Sequence, residues 1–134
     1  MLISSEAEMM SLGEKLASEL ATPCVIELVG DVGAGKTTFT RGLAKGLGVK
    51  AELSSPSFTI SREYAGEKAD LIHYDFYRIA DPGLMAEDLA DAISRENTVV
   101  VVEWGESIQD ILPANHKVVE IKYIDENTRE VNVK

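Results

Sequence analysis

The residues with the clearest chemistry lie in one stretch, Gly30 to Thr37, which has glycine at its first, fourth and sixth positions and ends in lysine and threonine. This is the G-x-x-x-x-G-K-[ST] spacing of a phosphate-binding P-loop. Glycines let backbone N–H groups surround a phosphate, and a helix that follows adds the positive end of its dipole. Lys36 is therefore expected to reach the β- and γ-phosphates of a nucleotide, and the Thr37 hydroxyl to bind Mg²⁺.

Such a loop needs a buried strand before it and a helix after it, and the sequence predicts both. Cys24 to Val29 form a short apolar run rich in β-branched side chains, which is typical of a buried parallel strand. After the loop, Phe39, Leu43 and Leu47 recur at helical spacing, and Gly48 occupies the position of a helix-ending glycine. This context favours a phosphate site over a glycine-rich turn that fits the pattern by chance.

Two carboxylates downstream lie where a nucleotide site would need them. Glu103 follows four consecutive valines, which places it at the carboxyl end of a central strand, where open α/β sheets bind ligands. An acid there either holds the Mg²⁺ shell or positions the attacking water. Asp75 shares a strand face with His73 and is expected to bind Mg²⁺ directly or through water. For His73 the sequence leaves a functional and a structural role equally open.

The rest of the chain predicts alternating helices and strands. Ser5 and Glu8 have the spacing of a capping box, which marks an N-terminal helix. Asp81-Pro82 is expected to open a later helix as N-cap and first residue. The other predicted elements are hairpin strands over 57–64 and 70–76, a central strand over 99–103, a helical turn over 108–112, and a second hairpin over 118–123 and 129–133. We therefore predict one three-layer α/β domain over 1–134, P-loop NTPase-like, with a mixed, mostly parallel central sheet and antiparallel hairpins.

Composition excludes several classes of protein. The formal net charge is −10, with 23 acidic and 13 scattered basic residues, which disfavours direct, tight binding of nucleic acid by this chain alone. No apolar run is long enough to cross a membrane, and the N-terminus does not read as a secretory signal. The lone cysteine, Cys24, is expected in the core of a cytoplasmic protein and forms no zinc site.

Other residues leave alternatives open. Residues 54–58 are either a turn or a switch loop that senses the γ-phosphate. Trp104 either packs in the core or forms a surface that contacts a base or a partner. Arg78 is the arginine best placed by sequence to act as a transition-state cation. No N-K-x-D or T-K-x-D motif is present to read guanine, so ATP is favoured over GTP.

Four motifs occur in order along the chain: GDVGAGKTTF at 30–39, SPSF at 55–58, HYDFYR at 73–78 and EW at 103–104. Together they closely resemble the bacterial TsaE (YjeE) family, the small P-loop ATPases of tRNA threonylcarbamoyladenosine biosynthesis. The resemblance covers nearly the whole chain, and the last two motifs are far more specific than the loop. One departure is Ser57, where the family usually has threonine.

The resemblance implies a cytoplasmic ATPase that uses ATP and Mg²⁺ and acts with the partner proteins TsaD and TsaB, which hold the tRNA. It implies Thr37 and Glu103 as Mg²⁺ ligands with Asp75 close by. Lys36, Asp75 and Glu103 are then the candidate catalytic residues. The candidate nucleotide contacts are Glu6, Asp31, Val32, Gly33, Ala34, Gly35, Lys36, Thr37, Thr38 and Arg129.

Two other functions remain open from the residues alone. A small kinase would pass the γ-phosphate to a metabolite, but it would need an acceptor pocket and a base, for which only Asp75 is a candidate. A non-catalytic nucleotide-binding module would use ATP only as a structural or regulatory ligand. Binding and hydrolytic residues overlap, so the sequence does not separate this last reading sharply from an ATPase.

Overall fold

A computed structural model describes residues 1–31, 33–53, 61–76 and 83–134, except for the side chains of Leu84 and Ser107. Within these residues no helix is long and apolar enough to span a membrane. The elements in chain order are β1 (Leu2–Ile3), α1 (Glu6–Glu19), β2 (Cys24–Val29), α2 (Lys36–Gly46), β3 (Ser61–Tyr64), β4 (Asp70–Asp75), α3 (Leu84–Ile93), β5 (Thr98–Glu103), a 3-10 turn (Gly105–Ile108), β6 (Lys117–Asp125) and β7 (Thr128–Val133).

The strands form one sheet in the order β1-β7-β6-β2-β5-β4-β3. The four inner strands β6, β2, β5 and β4 are parallel, whereas β3–β4, β6–β7 and β1–β7 pair antiparallel. The predicted mixed sheet with antiparallel hairpins is therefore confirmed. Within it, Glu103 at the end of β5 lies beside Leu28 of β2 on one side and Asp75 of β4 on the other.

Helices cover both faces of the sheet, which confirms the predicted three layers. Val99 and Val101 of β5 pack in the same core cluster as apolar residues of α1 and α2. Val100 and Val102 pack on the opposite face with Leu89 of α3. The four-valine run thus supplies both halves of the core, because successive side chains of a strand point to opposite faces.

Helices α1 and α2 contact each other at glycines that lie in the middle of each helix. A Cβ atom on Gly13 would lie 2.4 Å from the carbonyl oxygen of Phe39, and one on Gly42 would lie 2.1 Å from that of Met10. Any larger residue would force the two backbones apart. Glycine weakens an isolated helix, but here it lets α1 pack directly onto α2.

The N-terminus of α1 is capped nearly as the sequence predicts. The Ser5 hydroxyl accepts a hydrogen bond from the Glu8 N–H at 3.1 Å. The Glu8 carboxylate bonds one residue earlier than a standard capping box, accepting from the Ser4 N–H at 2.8 Å and from the Ser4 hydroxyl. These bonds, the backbone one first, lower the pKa of Glu8.

The elements differ from the predicted ones in three places. Helix α3 begins at Leu84 with Gly83 as N-cap at φ 53°, so Pro82, which lies outside the described residues, is not its first residue. The helical turn predicted over 108–112 is present, with the Ile111 N–H donating to the Ile108 carbonyl oxygen at 3.0 Å. An unpredicted 3-10 turn comes directly before it, because Trp104 is left-handed (φ 57°) and turns the chain directly after β5. Strand β1 was not predicted. Of the strand predicted over 57–64, residues 57–60 lie outside the described residues.

Candidate functional site

The P-loop runs from the end of β2 to the start of α2. Gly33 and Gly35 have φ angles of 83° and 109°, a left-handed conformation that side chains rarely adopt. Gly35 is the N-cap of α2, and no side chain caps the helix. The first amides of α2 therefore have no side-chain acceptor from the cap, which is the arrangement that binds an anion at a helix N-terminus.

Lys36 is the first residue of α2, and its side chain is almost fully buried at 6% exposure. Its ammonium donates to the carbonyl oxygen of Gly30 at 2.6 Å. It also lies 3.8 Å from Oε1 of Glu103 and 4.0 Å from the centroid of the Trp104 ring. The lysine of the loop is thus held by three groups at the point where β2 and β5 end.

Glu103 is buried at the end of β5, and both of its carboxylate oxygens have partners. Oε1 faces Lys36, and Oε2 hydrogen-bonds to Nε2 of His73. A buried carboxylate is costly unless it is paired and hydrogen-bonded. Lys36 and His73 supply those partners at the base of the phosphate loop.

Asp75 lies beside Glu103 in the strand register and is half-buried. The predicted alternation along β4 is confirmed, since Ile72, Tyr74 and Phe76 pack in the core on the α3 face. His73 and Asp75 therefore belong to the other face, the one occupied by α2. On the α3 face, burial and then the hydrogen bond to Asp88 raise the pKa of the Tyr74 phenol.

A cavity of about 510 Å³ opens above the loop, between the start of α1 and the turn that joins β6 to β7. Its volume lies within the range of small-molecule sites. Seven of the predicted site residues line it: Glu6, Gly33, Gly35, Lys36, Thr37, Thr38 and Arg129. Six further lining residues were not predicted: Ile3, Ser4, Ser5, Met9, Glu126 and Asn127.

Arg129 connects the last hairpin to the loop. Its guanidinium donates to the carbonyl oxygens of Ala34 at 3.2 Å and Gly33 at 3.4 Å. A further bond, at 2.6 Å, reaches the carbonyl oxygen of Asp125, and the group lies 4.6 Å from the Tyr123 ring. These contacts fix one wall of the cavity against the phosphate loop.

The other predicted residues that the structure describes lie outside the cavity lining. The backbone carbonyl oxygen of Asp31 accepts from the Ala34 N–H at 3.0 Å within the loop turn. Asp75 and Glu103 do not line the cavity, but Lys36 does, and its ammonium lies 3.8 Å from Glu103. Val32, residues 54–58 and Arg78 lie outside the described residues.

The donors near the loop suit Mg²⁺. Among the residues that the structure describes, no group of three or more His, Cys, Asp or Glu side chains is placed to hold a metal ion. The predicted ligands Thr37, Asp75 and Glu103 supply a hydroxyl and two carboxylates. Mg²⁺ prefers such oxygen donors, and it usually keeps several waters and binds through one or two protein ligands plus substrate phosphates. The residues present therefore fit this ion.

A second glutamate is buried that none of the sequence motifs predicts. Glu27 lies within β2 on the α3 face of the sheet and is 8% exposed. Its Oε2 accepts from the Gln109 amide at 2.9 Å, and its Oε1 lies 3.2 Å from Nε2 of His116. A carboxylate inside an apolar strand was the available signal, but its partners are more than 80 residues away in the sequence.

Comparison with known proteins places the chain in a family. The family described as "Threonylcarbamoyl adenosine biosynthesis protein TsaE" matches residues 3–131. Proteins named "tRNA threonylcarbamoyladenosine biosynthesis protein TsaE" are 41% identical in Bacillus subtilis, over 87% of this chain and 73% of that one, and 38% identical in Aquifex aeolicus, over 98% and 92%. A crystal structure of Bacillus subtilis YdiB superposes with a TM-score of 0.79 at 32% identity, covering 98% of this chain and 80% of that one. The chain therefore belongs to the TsaE family.

Proposed function

We propose that this protein binds ATP with Mg²⁺ and hydrolyses it, as a subunit required for threonylcarbamoyladenosine modification of tRNA. The observation that carries the proposal is the position of Lys36, which lines the cavity and lies 3.8 Å from Glu103. One side chain thus joins a phosphate cradle to a buried carboxylate. The names of the relatives supply the pathway.

The chain's own groups divide the work. The amides of the loop and of the first turn of α2 bind the phosphates, and Lys36 exchanges the Gly30 carbonyl for phosphate oxygens. Glu103 then orients the attacking water. Mg²⁺, held by Thr37 and Glu103 with Asp75 nearby, would neutralise charge on the phosphates.

The nucleoside would occupy the part of the cavity lined by the start of α1 and by the turn between β6 and β7. Ser4, Glu6, Glu126 and Asn127 supply polar groups there. The absence from the sequence of a guanine-reading N-K-x-D motif favours adenine. ATP is therefore the nucleotide we propose.

The acidic surface bears on how the protein meets tRNA. The net charge of −10 disfavours direct, tight contact of this chain with the phosphate backbone of tRNA. We propose that proteins of the TsaD and TsaB type hold the tRNA in the cytoplasm and that this chain contacts it only indirectly. ATP binding and hydrolysis would then change how the chain docks on those partners.

Steady-state ATP turnover, measured alone and with TsaD- and TsaB-type proteins, tests the proposal. We expect slow hydrolysis that increases when the partners are added. Label transferred from γ-labelled ATP to a small acceptor would instead show a kinase. Binding without turnover in every mixture would show a non-catalytic nucleotide module.

Partner affinity in three nucleotide states tests the switch. We expect the dissociation constant to differ between an ATP analogue, ADP and no nucleotide, because the γ-phosphate contacts change the loop and its neighbours. Equal affinity in all three states would contradict switching while leaving hydrolysis intact.

A further inference from the structure

We propose that His73 is a positioning residue, which holds one oxygen of the Glu103 carboxylate so that the other faces the phosphate loop. The inference rests on the proposed function, because it assigns His73 a role in the same site. It takes the functional side of the choice that the sequence leaves open for this residue.

The geometry gives each oxygen of Glu103 a different partner. Oε2 bonds to Nε2 of His73 within the sheet, while Oε1 lies 3.8 Å from the Lys36 ammonium. The second distance is too long for a direct hydrogen bond. One oxygen is therefore held by a neighbouring strand, and the other faces a charge that leaves when Lys36 turns to a phosphate.

His73 is suited to this role by burial and by its backbone. Its side chain is 1% exposed, and it lies on β4, which pairs with β5 along its whole length. A side chain fixed by a strand and by close packing loses little further entropy when it holds a partner. Ligands oriented in this way by an outer hydrogen bond are the usual arrangement in metal and phosphate sites.

The ring has one tautomer that fits. Among the described residues, Nδ1 of His73 is a buried side-chain nitrogen with no hydrogen-bond partner. A carboxylate only accepts hydrogen bonds, so its bond to Nε2 needs a proton there. A proton on Nδ1 would be a buried donor without an acceptor. The proton therefore belongs on Nε2, where the carboxylate of Glu103 accepts it.

Three substitutions separate positioning from packing. Glutamine can present an amide N–H near the Nε2 position, asparagine ends near the Nδ1 position, and leucine retains the volume without a donor. We expect H73L and H73N to lower kcat about tenfold to a hundredfold, while the dissociation constant for ADP without Mg²⁺ stays close to wild type. H73Q should recover most of the lost turnover. Equal turnover in H73Q and H73L would overturn the proposal.

A double-mutant cycle tests whether His73 acts through Glu103. In an E103Q background, H73L should cause no further loss of kcat, because the group that it positions is already changed. A full additional loss would show that His73 acts elsewhere. H116Q is the matched control, since His116 lies on the opposite face with Glu27, and its turnover should match wild type.

Nitrogen-15 shifts of the two histidine rings test the inference without any ATPase assay. We expect His73 to show a protonated Nε2 and an unprotonated Nδ1 in the wild type, with the H116Q spectrum providing the assignment. The opposite tautomer would contradict the proposal. A protein that lacks hydrolysis but shows this tautomer would refute the proposed activity and leave the Glu103 contact standing.

Discussion

Two buried glutamates lie at neighbouring registers of adjacent strands, yet their surroundings differ completely. Glu103 ends β5 on the α2 face, next to Lys36 and His73. Glu27 lies within β2 on the α3 face, next to Gln109 and His116. Burial is nearly equal, at 6% and 8% exposure. They differ in their access to a ligand. Lys36 lines the cavity and contacts Glu103, whereas Gln109 and His116 join Glu27 to the segment that follows β5.

The comparison teaches that burial of a carboxylate does not by itself indicate function. A buried acid needs partners wherever it lies. It becomes a candidate for chemistry only when one of those partners can be exchanged for a ligand. The ammonium of Lys36 has that property, because its bond to the Gly30 carbonyl can be replaced by one to a phosphate.

The largest effect is expected from K36A. The substitution removes the cation that connects the cavity to Glu103, so ATP turnover should fall at least about a hundredfold and nucleotide affinity should fall with it. Turnover and binding titrations measure both. K45A is the matched control, since Lys45 lies exposed in the last turn of the same helix. Unchanged hydrolysis in K36A would mean that the loop is not the site.

E103Q should separate binding from chemistry. The amide keeps the shape of the side chain but cannot act as a carboxylate, so we expect most of the nucleotide affinity to remain while kcat falls about a hundredfold. E106Q, an exposed substitution three residues further on, is the control. A large loss of affinity instead would identify Glu103 primarily as a metal ligand.

E27A should lower stability and leave ATP turnover unchanged, the opposite of what we expect for E103Q. It leaves the Gln109 amide and the His116 ring without their buried acceptor, so the free energy of unfolding should fall by about 1–3 kcal/mol. ATP turnover at a temperature where the variant is folded should match wild type. Chemical denaturation and turnover assays check the two halves. If E27A lost turnover while keeping its wild-type stability, Glu27 would contribute to activity as Glu103 is proposed to do.

The smallest effect is expected from Q109A, which tests how much one partner of Glu27 contributes to stability. It removes one donor to Glu27, from a residue that is itself exposed, so we expect a loss of only about 0.5–1.5 kcal/mol in the free energy of unfolding. His116 remains as a partner of Glu27. A loss as large as that of E27A would mean that Gln109 dominates the network.

Much of the fold was predictable because its signals are local. The bounds of β2 and the start of α1 follow from an apolar run and an N-cap serine, and the structure reproduces both. Strand β1 was missed because two residues carry no periodic pattern. The start of α3 was misplaced because Asp81-Pro82 resembles a helix start, whereas the N-cap is Gly83.

The site was predictable in part for the same reason. Lys36 and Glu103 follow from motifs next to strong strands, and the structure brings them together. The contacts between Arg129 and the loop carbonyls join residues about 95 positions apart, and only the family resemblance pointed to that arginine. The bond between His73 and Glu103 depends on the register of two strands, which the sequence does not specify.

A crystal structure with Mg²⁺ and a non-hydrolysable ATP analogue tests the central claim most directly. We expect the triphosphate against the amides of residues 33–38, the Lys36 ammonium moved from the Gly30 carbonyl to a phosphate oxygen, and Glu103 still bonded to His73. Nucleotide bound elsewhere, or a loop that leaves the triphosphate untouched, would contradict the account.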